Sequence, residues 1–254
     1  MNLLVMARAH LRMVARQKAL WFSAIPLILF AWLLAVISPK QPGTGGVEDL
    51  AFTGQMVAMF SGLAYSTAFT DYFTKSSALG MDELEYSTPV SALKRRAAQL
   101  IGTLGVILLP SIVVIVCTSL KQSFSGHPWA LVAGLTVIVT IIMPSALIAM
   151  SLSALAGTLL PRVVGRVAGV LVWLFLLFST PLIPLPTPNG TIFAINGDVV
   201  ASGFFGNHPF YRPAGPLTNH GTAWEATFSL VFQLVLVFIV LVFCSALTGR
   251  ARKR

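Results

Sequence analysis

The sequence predicts an all-α integral membrane protein: an N-terminal interfacial amphipathic helix followed by six transmembrane helices, with both termini on the cytosolic side. Three observations carry this. Of the 254 residues, 56% are hydrophobic and 10% charged, and the mean hydropathy is +0.83, whereas about a quarter of the residues in a soluble domain carry charge. The apolar residues fall into six runs, at about 19–38, 50–74, 97–120, 129–159, 164–186 and 225–247. A bilayer core takes about 20 such residues. The bases then sort by side: six spans starting inside put Arg8, Arg12, Arg16, Lys18, Lys75, Lys94, Arg95, Arg96, Arg162, Arg166, Arg250, Arg252, Lys253 and Arg254 in the cytosol. Only Lys40, Lys121 and Arg212 remain outside, and the inverted orientation would reverse this positive-inside bias.

Residues 1–18 carry Arg8, Arg12 and Arg16 at four-residue spacing, with Leu3, Met6, Ala7, Leu11, Met13 and Val14 on the other side of a helix. That is the pattern of an interfacial helix, although His10 and Gln17 interrupt its apolar side and an ordinary basic start would also set topology. The transmembrane domain, 19–247, follows. Its first run is closed by Pro39 and Pro42. It is too long for a signal-peptide core and lacks a small-x-small cleavage site. The second run places Tyr65, Phe69 and Phe73 on one helical stripe, with Gln55, Ser61, Ser66 and Thr67 as polar content. Gln55, Tyr65 and Phe69 are candidates for lining a substrate pathway; helix packing or lipid contact explains the same stripe. Asp71, four residues before Lys75, fits a local ion pair more simply than a proton relay.

Between the second and third runs lies a cytosolic polar island, 75–96, reading KSSALGMDELEYSTPVSALKRR. Three acids precede Ser87-Thr88-Pro89 and three bases follow it. Pro89 suits a first helical turn with Ser87 or Thr88 as N-cap, which predicts two short helices meeting at the proline. A solvated, topology-setting loop fits the same residues.

The third run carries Pro110 as a potential kink, and Trp129 anchors the start of the fourth. Ala149, Ser153 and Gly157, then Gly165 and Gly169, give small residues at four-residue spacing, which lets helices pack closely in lipid. Arg162 and Arg166, in the turn between the fourth and fifth runs, face the cytosol as a second contact point. The fifth run leaves through Pro181, Pro184, Pro186 and Pro188. The outer loop, 187–224, is weakly charged and partly apolar, and is expected to lie on or dip into the outer leaflet. Its Asp198, His208 and His220, with His127, lack metal-ligand spacing. Asn189-Gly190-Thr191 is a glycosylation triplet that matters only in a secretory pathway. Thr222 and Glu225 form a capping box opening the last span, which Gly249 ends before a basic cytosolic tail, 248–254.

Within the island, Gly80, Glu83, Leu84, Ser87, Thr88, Pro89, Val90 and Ser91 resemble the segment after the second span of ABC-2 type permeases, the membrane subunits of ABC exporters. Glu85 and Tyr86 stand where leucines are usual there, and Ala98-Gln99 where a Gly-Lys pair is common. The resemblance implies a cytosolic coupling helix formed by these residues with Asp82, docked on an ABC ATPase subunit that binds ATP and Mg. It also implies the type V exporter-like permease architecture, a second permease copy or a related permease as partner, short re-entrant helices in the outer loop, and residence in a cell membrane, expected to be a bacterial plasma membrane.

The chain itself has no GxxxxGK[ST], so no cofactor is expected in it and hydrolysis falls to a partner chain. No His is followed by Glu and no GxSxG is present, so the chain is expected not to be an enzyme. The net charge of +9 reads as topology and lipid contact; nucleic acid is not an expected partner, because no basic face with interleaved aromatics occurs. Cys117 and Cys244 both lie in apolar runs, which argues against a disulfide framework, and no metal site is expected. Spans nearly free of ionisable residues weigh against an ion-coupled carrier and favour an amphipathic, peptide-like or lipid-like substrate. An ATP-independent six-span channel or carrier and a non-transporting scaffold or immunity protein are the alternatives.

Overall fold

The structure is a computed structural model that describes residues 3–39, 41–70, 91–178, 188–211 and 217–251. Its elements are α1 (Leu3–Ala15), α2 (Lys18–Ile37), α3 (Val47–Ala68), α4 (Ala92–Phe124), α5 (Ala130–Val137), a π-helical turn (Ile138–Ile142), α6 (Met143–Leu159), α7 (Arg162–Phe178), α8 (Asp198–Phe205) and α9 (Ala223–Ala251). Among the described residues the β pairing is a single bridge between Thr191 and Thr218. The all-α class is as the sequence predicts.

Among the described residues, four helical stretches are long and apolar enough to cross a membrane: Leu20–Ile37, Leu93–Phe124, Ala130–Leu159 and Ala223–Leu247. This is a membrane protein with several such helices. α2 shows how they are built. Leu20, Ala24, Ile28, Ala31 and Ala35 are buried at helical spacing, while Leu29, Leu33, Val36 and Ile37 are exposed on its other side. A helix apolar all round has a protein face and a lipid face. α9 repeats the arrangement, with Ala226, Ser229, Gln233, Val237 and Cys244 inward and Val231, Leu234, Val235, Phe238 and Ile239 outward.

α3 is different. It has 22 residues, most of them buried, and it packs against α2, α4, α5, the π turn, α6, α7 and α8. It is not among the four apolar stretches, because Thr53, Gly54, Gln55, Ser61, Gly62 and Ser66 dilute its apolarity. Its neighbours are helices rather than lipid, which makes that composition tolerable. It caps at Phe69, earlier than the run of 50–74. α7 has 17 residues and ends at Phe178; the proline-rich exit at Pro181, Pro184 and Pro186 lies outside the described residues.

Contacts along α3 fix the helix directions. Gly54 meets Val137, Ser66 meets Ser153 and Thr70 meets Gly157, so α3 and the α5–α6 rod run the same way. Thr70 meets Gly165, Ser66 meets Gly169 and Gly62 meets Trp173, so α7 runs the opposite way. One end of the bundle therefore gathers Arg8, Arg12, Arg16, Lys18, Lys94, Arg95, Arg96, Arg162 and Arg166. The other end holds every described carboxylate, Glu48, Asp49, Asp198 and Glu225, with Lys121 and the exposed Trp129 and Trp224. We call these the basic and the acidic end.

Two features differ in detail from the sequence expectation. The fourth apolar run is one rod interrupted by the π turn, immediately before Pro144. Proline has no N–H and clashes with the carbonyl four residues back, and a π turn relieves both. Pro110, by contrast, sits inside an unbroken α4 of 33 residues, about 50 Å long against a bilayer core of about 30 Å. The surplus lies at its basic end, beside α1.

The close-packed seam between α3, α6 and α7 sets the first prediction. A Cβ at Gly157 would overlap the Thr70 carbonyl oxygen, whereas one at Gly105 would find Leu11 Cδ1 at 3.6 Å. Gly157→Ala is expected to destabilise the purified protein by about 1–3 kcal/mol. Gly105→Ala should be neutral or stabilising by up to about 1 kcal/mol. Thermal unfolding in detergent measures both, and equal melting temperatures would contradict the seam.

Candidate functional site

The two chain ends that flank the predicted coupling segment both emerge at the basic end. Of that segment, Gly80, Asp82, Glu83, Leu84, Ser87, Thr88, Pro89 and Val90 lie outside the described residues. Ser91 is described and is the N-cap of α4, its Oγ accepting from the Lys94 amide at 3.4 Å. It satisfies one of the free amides that every helix start presents. Lys94 is exposed and Arg96 is buried. Because α4 starts at Ala92 rather than near 97, all three bases belong to its first turns.

On the other side, the last turn of α3 is clamped. Ser153 Oγ donates to the Ser66 carbonyl at 2.7 Å and lies 3.2 Å from Thr70 Oγ1. A Cβ at Gly165 would come within 2.8 Å of Thr70 Cγ2, and one at Gly169 within 2.6 Å of the Ser66 oxygen. Only small residues allow this approach. Higher up, the Trp173 indole packs directly against Gly62 and donates from Nε1 to the Met59 carbonyl at 2.9 Å. α3, α6 and α7 are thus joined backbone to backbone where α3 leads into the predicted coupling segment. Arg162 and Arg166 are exposed on the first turns of α7 at this same end.

The candidate pathway residues are enclosed by the fold. Tyr65 is fully buried and its hydroxyl donates to the Ile107 carbonyl of α4 at 2.9 Å, with the Phe69 ring tilted against it at a centroid distance of 6.3 Å. Gln55 points the other way, to the acidic end, where its Nε2 donates to Asp198 Oδ1 at 3.0 Å.

Asp198 organises the second polar centre. It is 1% exposed and also accepts from the backbone amides of Phe210 at 2.7 Å and Tyr211 at 3.4 Å. Its own amide donates to Asn196 Oδ1 at 3.1 Å. Gly197, at φ +79°, turns the chain between them under Ile141 of the π turn, a conformation that glycine alone adopts without strain. The outer loop is therefore not draped over the surface. It folds inward as α8 with its flanks, and four helices pin it: α3 through Gln55, α6 through Ser145 Oγ to the Ile195 carbonyl at 3.1 Å, α9 through Ser229 Oγ to the Ala194 carbonyl at 3.4 Å, and α7 through its Leu177 carbonyl. That last carbonyl accepts from Asn189 Nδ2 and from the Tyr211 hydroxyl. Burial pushes the Tyr211 hydroxyl well above the usual tyrosine range and keeps it a neutral donor.

The remaining loop residues have local roles. Asn189 is buried, so the Asn189-Gly190-Thr191 triplet is not displayed for modification. Thr222 and Glu225 close the expected capping box, Thr222 Oγ1 accepting from the Glu225 amide at 3.3 Å and Glu225 Oε2 from the Thr222 amide at 3.1 Å. His220 joins it through Nδ1 at 2.9 Å from Glu225 Oε1. No three His, Cys, Asp or Glu side chains gather for a metal among the described residues.

In the sequence Asp198 stood out only as a metal ligand without ligand spacing, and Trp173 did not stand out at all. The signal for Asp198 was present: a lone carboxylate in an apolar loop, directly after Asn196-Gly197, demands buried partners. Nothing local marks Trp173, whose role depends on Gly62 more than a hundred residues away.

Losing the charge-assisted bond from Gln55 should loosen the inward-folded loop. Gln55→Leu is expected to cost about 1.5–3 kcal/mol and to make 188–211 a protease target in intact membranes, while Gln55→Glu, which faces Asp198 with a like charge, should cost more. Limited proteolysis checks this, and cleavage unchanged in both variants would contradict the pin. Compared with known proteins, the chain matches no family model, no curated protein and no solved structure.

Proposed function

We propose that this chain is the permease subunit of an ATP-driven exporter of the ABC-2 type. In this reading α3 and α7 are the second and fifth of six spans, the basic end is cytosolic, and the membrane is a bacterial plasma membrane. The single observation that carries the reading is the mechanical setting of the segment between Thr70 and Ser91. Its sequence resembles a coupling helix, it enters from an α3 clamped onto α6 and α7, and it leaves into α4, the longest of the described helices, whose first turn Ser91 caps.

A push on Gly80 to Ser91 by closure of an ATPase dimer, with ATP and Mg bound on that partner, would then be delivered to α3, α6 and α7 together. Glu83 and Pro89 are the residues assigned to the docked helix, with Arg162 and Arg166 as a second cytosolic contact. Two permeases, identical or related, would enclose the pathway. The scarcity of ionisable residues in the apolar runs suits an amphipathic, peptide-like or lipid-like cargo.

The test is a mild-detergent pull-down of the tagged chain from its native membrane. A stoichiometric protein carrying GxxxxGK[ST] is expected, and Glu83→Ala or Pro89→Ala should release it without lowering membrane insertion. A stoichiometric complex with no such protein would overturn the proposal and favour a channel, carrier or scaffold.

A further inference from the structure

We propose that the outward face of α1 is a docking surface for anionic phospholipid headgroups at the cytosolic leaflet. The inference goes beyond the permease reading; it rests on that reading for the cytosolic side of the basic end, but not on an ATPase partner.

α1 is not a free amphipathic helix. Met6, Ala7 and Val14 are buried against the bundle, a Cβ at Gly102 of α4 would overlap the Ala7 carbonyl, and Leu11 reaches Gly105. These contacts use the face that binds α4; at 100° per residue Arg12 and Arg16 point away from it and Arg8 lies on its flank. Arg16 and Lys18 continue the stripe toward α2. All four bases are exposed, and none makes an ion pair or a side-chain hydrogen bond among the described residues. Every described carboxylate lies at the opposite end of the bundle. Within the described chain, nothing neutralises this stripe.

The bases are also flanked by apolar side chains that the fold leaves uncovered, Val5 at 61% and Met13 at 54% exposed. A soluble acidic partner would satisfy the charges; a bilayer interface satisfies charges and apolar side chains together. α1 also lies at the basic end of the bundle: Ala7 and Leu11 sit beside Gly102 and Gly105, in the turns of α4 that follow Arg95 and Arg96.

Native mass spectrometry of the full chain, titrated in detergent with phosphatidylglycerol or phosphatidylcholine, tests this. Each base near an anionic surface contributes roughly fivefold. R8Q/R12Q/R16Q should therefore weaken phosphatidylglycerol binding on the order of 100-fold and leave phosphatidylcholine unchanged. R8K/R12K/R16K should keep most of the binding, and about 0.5 M salt should erase the preference of the wild type. Equal binding of the two lipids by the wild type, full phosphatidylglycerol binding by the glutamine variant, or displacement of the lipid by equimolar inorganic phosphate would each overturn the proposal. So would loss of a soluble acidic protein from the glutamine variant with its lipid binding intact. The ATPase pull-down reads different residues, so either proposal can fail alone.

Discussion

The close approach of α3 to α6 and α7 is the constraint on which the rest of the bundle depends. Lipid offers no hydrophobic drive for helices to associate, so contact has to come from backbone proximity and buried hydrogen bonds. Here Gly157, Gly165 and Gly169 remove side-chain bulk around Ser66 and Thr70, and Ser153 adds a hydrogen bond to the Ser66 carbonyl. Once α3 is held this way its polar residues can be inside, and they then reach in two directions. Tyr65 ties α3 to α4 near the basic end, and Gln55 ties it to the inward-folded loop near the acidic end.

That arrangement gives the two ends different characters. At the acidic end, α8 and its flanks fill the space between the helices and are pinned by α3, α6, α7 and α9. A buried carboxylate is tolerable there because backbone amides and the Gln55 amide supply donors that water would otherwise provide. At the basic end nothing comparable plugs the bundle among the described residues; α3, α6 and α7 meet directly and α1 leans on α4. A force applied there would move joined helices against a knitted acidic end, which is the mechanical basis of the proposed coupling.

Much of this was legible in the sequence. Composition and the sorting of Lys and Arg gave the class and the two ends, since both are summed properties that local errors hardly affect. The small residues at 149, 153, 157, 165 and 169 announced close packing, and Thr222 with Glu225 announced a helix start, because each is a short-range pattern with one physical cause. The inward fold of α8 was foreshadowed by the low charge and apolar stretches of its loop, and by the short re-entrant helices that the resemblance implies there. Gln55 was read as a pathway candidate because its partner, Asp198, is 143 residues away and no local rule joins them. The π turn was marked by Pro144, whose effect on the preceding carbonyl is local, but a long apolar run hides such a break.

The orientation of the bundle is the claim that most directly supports everything proposed, because a coupling segment on the outer side could meet no cytosolic ATPase. In a background with Cys117→Ser and Cys244→Ser, single cysteines replacing Arg162 and His208, both exposed, would be labelled in intact cells with a membrane-impermeant thiol reagent. The account predicts that the cysteine at 208 reacts from outside and that the one at 162 reacts only after permeabilisation. Labelling of both from one side would show that α7 does not cross, and labelling of 162 alone from outside would invert the protein.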